Sequence, residues 1–318
     1  MIAVLCGGVG AARFLRALRL VTDPADVVAI INTGDDTVLH GLSISPDLDT
    51  VTYTLAGAID PVRGWGLVDE TWTAMAGLER YAAVRPVGSA AAPTWFNLGD
   101  RDLATHFYRT ARLAEGAPLS AVTAEIADAW QVPERLVPMT DDRVATMIEL
   151  TEGSTISFQE YFVARRHSVP VRAVTFDGAE AARLQPTAAA AVEQADVIVI
   201  APSNPIVSIG PVRATSGVDA RLRARRDRVV AVSPIVAGAA LKGPADRMLT
   251  ELGHQPTVVG VAQLYRDIAA TLVIDPADAH LTADIEALGM HAVVVPSIMS
   301  APDVSARLAA ATLAAVTG

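Results

Sequence analysis

Cysteine is nearly absent from this 318-residue chain, where Cys6 stands alone. A lone thiol leaves no intrachain disulfide framework and no thiolate metal cluster, and it fits a reducing cytoplasm. Positive charge is the scarcer sign: 25 Lys and Arg face 35 Asp and Glu, for a net charge of −10. The basic clusters Arg165 to His167 and Arg221 to Arg228 are short, which argues against a general nucleic-acid surface. No uncharged apolar run approaches the roughly 20 residues that span a bilayer. The apolar N-terminus breaks at Gly7 without a basic leader or a small-residue cleavage site, so it reads as a first strand rather than a signal peptide. Nucleophile signatures are missing too: there is no G-x-S-x-G elbow, no H-E-x-x-H and no cysteine–histidine arrangement. Positioning, charge neutralisation and metal-assisted phosphoryl chemistry remain.

What is abundant is apolar material, 51% of the residues with a mean hydropathy of +0.35, enough for a large core. Met1 to Cys6 is an apolar run ending in a glycine turn, and Ala11 to Leu20 follows at helical spacing, the opening of a βαβ unit. Val27 to Ile31 is a second short strand running into NTGDDT. Later apolar runs begin at Asp196, Asp227, Thr257, Thr271 and His291, each closed by proline, serine, aspartate or a comparable breaker, with helical segments at Pro186 to Gln194, Gly217 to Arg225 and Ser300 to Ala315. Such β-branched runs, buried on both faces, predict a Rossmann-like α/β fold with a doubly wound, mostly parallel sheet. Glu70 to Val132 reads as mainly helical, and Ala145 to Leu150 with Thr155 to Phe162 as a hairpin around Glu152-Gly153. The expected division is a core of residues 1–69 and 163–318 with an inserted, mainly helical cap at 70–162.

Four polar islands carry candidate chemistry. In GGVGAAR, Gly7, Gly8 and Gly10, followed by Arg13, allow the main chain to approach a phosphate at a helix N-terminus. The spacing is neither G-x-G-x-x-G nor a P-loop, so a merely tight turn is the other reading. Asn32 to Asp49 holds Asn32, Asp35, Asp36, Asp47 and Asp49, followed by Thr50. Singly, these carboxylates fit helix caps and Asx turns. Together they resemble a hard-cation and hydroxyl-orienting site, with Asp49 and Asp36 as candidate catalytic and metal-binding groups and Mg²⁺ as the ion. FNLGDRDLATH offers Arg101 between Asp100 and Asp102, which either hold its guanidinium for an anionic or planar ligand or cap a helix; His106 reads as structural or solvent-facing. APSNPIVSIGP supplies Ser203, Asn204 and Ser208 at a strand end, and Lys242 beside Gly243 is either a mobile phosphate contact or a surface lysine.

The motifs GGVGAARFL, NTGDDTVLHGLSISPDLDTVTYTLAG, RGWGLVDETW, WFNLGDRDLATH, APSNPIVSIGP and SPIVAGAALKGPADRM, in this order across nearly the whole chain, resemble the 2-phospho-L-lactate transferases of deazaflavin coenzyme F420 biosynthesis. The likeness is greatest to the actinobacterial phosphoenolpyruvate transferase type. That resemblance implies a Mg²⁺-dependent cytoplasmic homodimer without nucleic-acid or membrane partners. A guanosine-diphosphate-activated three-carbon acid would pass its phosphoryl-linked acid to the ribityl hydroxyl of the deazaflavin Fo, releasing GMP. By the same resemblance, Asp49 matches the aspartate at the reactive end, and Arg101 a residue associated with Fo. Gly7, Gly8, Gly10, Ser203 and Asn204 match the nucleotide and phosphate side. The chain departs from the pattern at Ala11, where glycine is common, and at Tyr161-Phe162, where relatives place tryptophans. Two rivals are an NAD(P)-dependent oxidoreductase, for which Asp35 could be mistaken for a ribose-binding acid, and a non-catalytic nucleotide-binding member of the superfamily.

Overall fold

The computed structural model describes residues 1–89 and 91–317. Among them, β1 (Ile2–Cys6), β2 (Val27–Ile31), β3 (Arg135–Pro138), β4 (Val197–Ile200), β5 (Val229–Val232), β6 (Thr271–Ile274) and β7 (His291–Val294) form one sheet. Its spatial order is β3-β2-β1-β4-β5-β6-β7, and every neighbouring pair is parallel. Every residue of β1, β2, β4, β5 and β6 is buried. These strands are covered on both faces, which is why they read as unbroken apolar runs instead of alternating ones.

Alternate residues feed two cores. Leu5, Ile30, Ile198 and Ile200 face one layer, with Ala188, Ala191 and Val192 of a helix at Pro186–Gln194. Val4, Ile31, Val199 and Val232 face the other, packed against Phe14 and Leu15 of α1 (Gly8–Leu18), Leu48 and Val51 of α2 (Pro46–Leu55), and Leu308 of the helix Pro302–Thr317. The crossovers diverge between β1 and β4, so the loops at the C-terminal ends of these strands flank a crevice where open α/β sheets take ligands.

Between β2 and β3 the chain forms α3 (Thr73–Ala82), α4 (Leu103–Ala114) and α5 (Leu119–Ala129). The Pro86 to Pro93 interruption falls between α3 and α4, and Ala90 within it lies outside the described residues. The stretch 70–162 thus contributes three α-helices, and it also supplies β3 to the edge of the main sheet. Ala145–Leu150 pairs antiparallel with Thr155–Ser157, as the hairpin signal predicts, and on its other side with Val171–Asp177. The expected second strand stops early: Phe158 leaves it, and Glu160–Ala164 is a π-helical turn.

One strand expectation fails. The run beginning at Thr257 is α-helix over Val258–Tyr265. Val258, Val261, Ala262 and Tyr265 are all fully buried, so no polar face betrays a helical period, and a short buried helix and a buried strand look alike in sequence. Thr257 decides the matter locally, its hydroxyl accepting the N–H of Gly260 as an N-cap.

Candidate active site

A cavity of about 770 Å³ opens over the C-terminal ends of the strands. Gly7, Gly8, Gly10, Arg13, Asp49, Thr50, Asp102, Ser203, Asn204, Ser208 and Lys242 all line it, so one cleft collects most of the residues singled out from sequence.

The glycine turn is built for close approach, first of all by the protein itself. Gly7 N–H donates to Ser203 Oγ at 3.4 Å, and Gly8 opens α1 with φ +72°. A Cβ on Gly10 would stand 2.1 Å from the Pro202 carbonyl oxygen, and one on Gly7 2.8 Å from Asp47 Oδ2. Both glycines are therefore demanded by packing of the turn against the β4 loop and the acidic cluster. Asp47 accepts the Gly8 N–H, so a carboxylate already lies at the start of α1.

Four aspartates, Asp35, Asp36, Asp47 and Asp49, cluster beside that turn with little compensating charge. Asn32 donates to Asp47 Oδ2 at 2.9 Å and accepts the Gly34 N–H at 2.8 Å, while Ser45 donates to Asp36 Oδ2 at 2.6 Å. Asn32 and Asp36 thus stand just behind the cavity wall, bracing it. Burial, aided by Asp47, raises the Asp35 carboxyl well above the usual range, and burial raises Asp36 likewise. Asp47 is pushed up to about 6, again by burial. Asp35 Oδ1 and Asp36 Oδ1 are buried without a hydrogen-bond partner. Oxygen ligands, orphaned lone pairs and uncompensated negative charge together fit a hard divalent cation.

The second half of the site comes from α4. Arg109 is 2% exposed and meets both oxygens of Asp49, Nη1 at 3.1 Å from Oδ2 and Nη2 on Oδ1. His106 lies between two acids, Nδ1 3.7 Å from Asp49 Oδ2 and Nε2 3.2 Å from Asp102 Oδ2. Tyr53 donates to Asp102 Oδ1, and burial keeps the phenol far above its ordinary range. Burial opposes the Asp102 charge, yet His106, Tyr53 and Arg109 together hold its carboxyl below the usual value. Among the described residues, Asp49, Asp102 and His106 form a three-residue group able to hold a metal, with Arg109 paired to Asp49 beside it.

Arg101 behaves differently from the expectation. Its side chain is exposed, donates to the Val68 carbonyl and does not line the cavity. The flanking aspartates do not hold it: Asp100 accepts from the Thr71 hydroxyl and the N–H groups of Thr73 and Ala74 at the start of α3, and Asp102 faces inward. His106 is buried at 1% exposure, not solvent-facing. Tyr53, His106 and Arg109 were missed in the sequence, although Asp102, His106 and Arg109 sit at i, i+4 and i+7, one face of a helix. A further signal was available at Lys242, the only lysine in the chain. Asn204 turns its side-chain oxygen to the N–H groups of Ile206 and Val207, an Asx turn that shapes the β4 loop.

Aromatic side chains gather at the mouth. Trp65, Trp95, Phe96, Phe158 and Phe162 line the cavity, and the Arg63 guanidinium lies 5.5 and 5.4 Å from the rings of Trp65 and Trp72. Of the Tyr161-Phe162 pair, Phe162 faces the cavity and Tyr161 is fully buried.

The raised carboxyls set a pH dependence. A folded-state pKa above the unfolded one means that the native state binds more protons, so stability is greatest below the unfolded value and falls as pH rises. For Asp47 that window runs from about 4 to about 6. Protein stripped of divalent ions should accordingly melt several degrees higher at pH 5 than at pH 7.5. Equal melting temperatures at the two values would remove the charge strain inferred for this cluster.

A doubly wound parallel sheet with an acidic, aromatic-rimmed cavity at its switch point defines a Rossmann-like group-transfer enzyme. Residues 2–298 match the family of 2-phospho-L-lactate transferase CofD, and the chain belongs to that family of transferases of F420 biosynthesis. Phosphoenolpyruvate transferases are close in sequence: that of Nocardia farcinica is 42% identical over 313 residues, covering 96% of this chain and 92% of the relative. The Streptomyces coelicolor protein is 44% identical over 312 residues (97% and 95%), and the Mycobacterium tuberculosis protein 41% over 325 residues (96% of each). Among solved structures, a UPF0052-family protein from Bacillus halodurans shares the fold, with a TM-score of 0.62 at 14% identity over 98% of both chains. Among the described residues, no helix is long and apolar enough to cross a membrane.

Proposed function

We propose that this transferase moves the phosphoenolpyruvyl group from a guanosine-diphosphate-activated donor to the ribityl hydroxyl of Fo, releasing GMP and forming dehydro-F420-0. The single observation that carries the reading is the placement of Asp49, held by the Arg109 clamp, in the same cavity as the glycine turn, the β4 loop and the aromatic mouth. The activated nucleotide lies along the turn of Gly7, Gly8 and Gly10 and the Ser203-Asn204-Ser208 loop, with Arg13 and Lys242 facing its charged groups. The flat deazaflavin enters from the side of Trp65, Trp95 and Phe162, and Arg101 braces the rim through Val68. Asp49 accepts the proton of the attacking hydroxyl; the new P–O bond forms as the bond to GMP breaks, and GMP departs with that electron pair.

Mg²⁺ would be held from Asp49, which faces the cavity, with Asp35 alongside and Asp36 behind the wall, and it would neutralise charge on the phosphoryl oxygens. The phosphoenolpyruvyl donor is favoured over the phospholactyl one by the 42% and 44% identity to two phosphoenolpyruvate transferases. A homodimer in the cytoplasm completes the reading; light scattering that reports only monomer at micromolar concentration would remove the dimer.

The test is incubation of purified protein with Fo, Mg²⁺ and each activated donor, with product masses read out. Dehydro-F420-0 and GMP from the enolpyruvyl donor are expected. F420-0 formed faster from the phospholactyl donor overturns the donor assignment, and no product from either overturns the reading.

A further inference from the structure

Arg109 is among the largest fully buried side chains, yet it does not line the cavity. It stands behind Asp49, which does. Both of its terminal nitrogens engage the two Asp49 oxygens, and Nη1 also lies 3.5 Å from the Ser43 carbonyl and 3.4 Å from His106 Nδ1. That fork geometry fixes the plane of a carboxylate as well as its charge, which a point-like ammonium cannot do. A buried ion pair is in itself weak support for stability, because desolvating both partners offsets their attraction. The pair makes better sense as a device for orientation. Asp49 keeps unused lone pairs after binding Arg109, and their direction into the cavity is set by where α4 packs against the Leu42–Ile44 strand.

We infer that Arg109 is a positioning residue for the transfer reaction: its two-point clamp fixes the orientation of Asp49, so the reactive end of the site is aligned by α4 and not by the sheet alone. The inference rests on the role proposed above for Asp49. It adds that the inserted helices do more than cover the ligands, since one of them holds the reacting group.

The experiment is a double-mutant cycle with Arg109→Lys and Asp49→Asn. Lysine keeps the positive charge and loses the fork. Arg109→Lys should lower kcat about 10- to 100-fold, with KM for Fo and donor changed less than about three-fold. Added to Asp49→Asn it should lower kcat by less than about three-fold more, because a clamp has nothing to orient once the carboxylate is gone. Multiplicative losses in the double variant, or a normal kcat in soluble, folded Arg109→Lys, overturn the inference.

A second readout needs no turnover. Mn²⁺ affinity of the wild type and Arg109→Lys, followed by the free-ion EPR signal, should weaken about five-fold in the variant, since charge is conserved and only orientation is lost. Unchanged affinity overturns the clamp even if the wild type proves inactive on Fo, whereas inactivity of the wild type with weakened affinity overturns only the proposed function. Should Arg109→Lys fail to fold, Arg109→Gln takes its place, keeping a planar donor group without the two-point fork, with at least the same losses of kcat and Mn²⁺ affinity expected; a folded Arg109→Gln protein with normal kcat and Mn²⁺ affinity overturns the inference.

Discussion

Asp49→Asn should lower turnover at least about 100-fold while the protein remains folded. Asparagine has nearly the same volume and keeps one acceptor oxygen, so the first turn of α2 can retain its packing around Leu48 and Val51. What disappears is the charge that faces Arg109 and the cavity. An interaction realised mainly in the transition state affects kcat and kcat/KM together, leaving KM nearly untouched. Removing the anion also leaves Arg109 buried without its counter-charge, which should lower the melting temperature by several degrees. Steady-state kinetics on the folded variant decide the point: turnover within ten-fold of wild type would take Asp49 out of the chemistry.

The largest expected effect on folding comes from Gly10→Ala. The added methyl would lie 2.1 Å from the Pro202 carbonyl oxygen, and neither partner can yield easily, since one is in the first turn of α1 and the other follows β4 at the centre of the sheet. Forcing the helix away from that loop should cost about 3 kcal/mol, or roughly 4–5 °C in melting temperature. Gly77→Ala is the matched control. Gly77 lies within α3 with open space around its Cβ position, so alanine there should add up to about 1 kcal/mol. Thermal melts of the two variants should move in opposite directions, and a Gly10→Ala protein as stable as wild type would refute the packing argument.

Much of this architecture was legible because its central strands are buried on both faces. Continuous runs such as IAVLC and VVAII admit few alternatives, and each is followed by a loop whose composition changes abruptly to glycine, aspartate, serine or asparagine. Legibility failed where a local pattern was silent about its partners. Val258–Tyr265 has no polar face, so its helical period was invisible; Arg135–Pro138 is too short and too mixed to stand out. In the site, the acidic cluster announced itself by density, but its countercharge did not. Arg109 lies 60 residues from Asp49, and only the packing of α4 against the Leu42–Ile44 strand brings them together. Arg101 illustrates the reverse: a conspicuous local pattern of alternating charges resolves into a helix cap, an inward acid and an exposed arginine.

The singularity of Lys242 makes the cavity chemically addressable. Only two amines exist on the chain, and the other, the α-amino group of Met1, is paired with Asp196 at 2.9 Å at the far end of β1 from the ligand loops. An amine-directed fluorophore, isotope tag or tethered inhibitor would therefore report from the mouth of the cleft without mutagenesis, and its protection by nucleotide or deazaflavin could be followed directly. Surface attachment through lysine would fail for the same reason, since it would block the entrance it was meant to leave open.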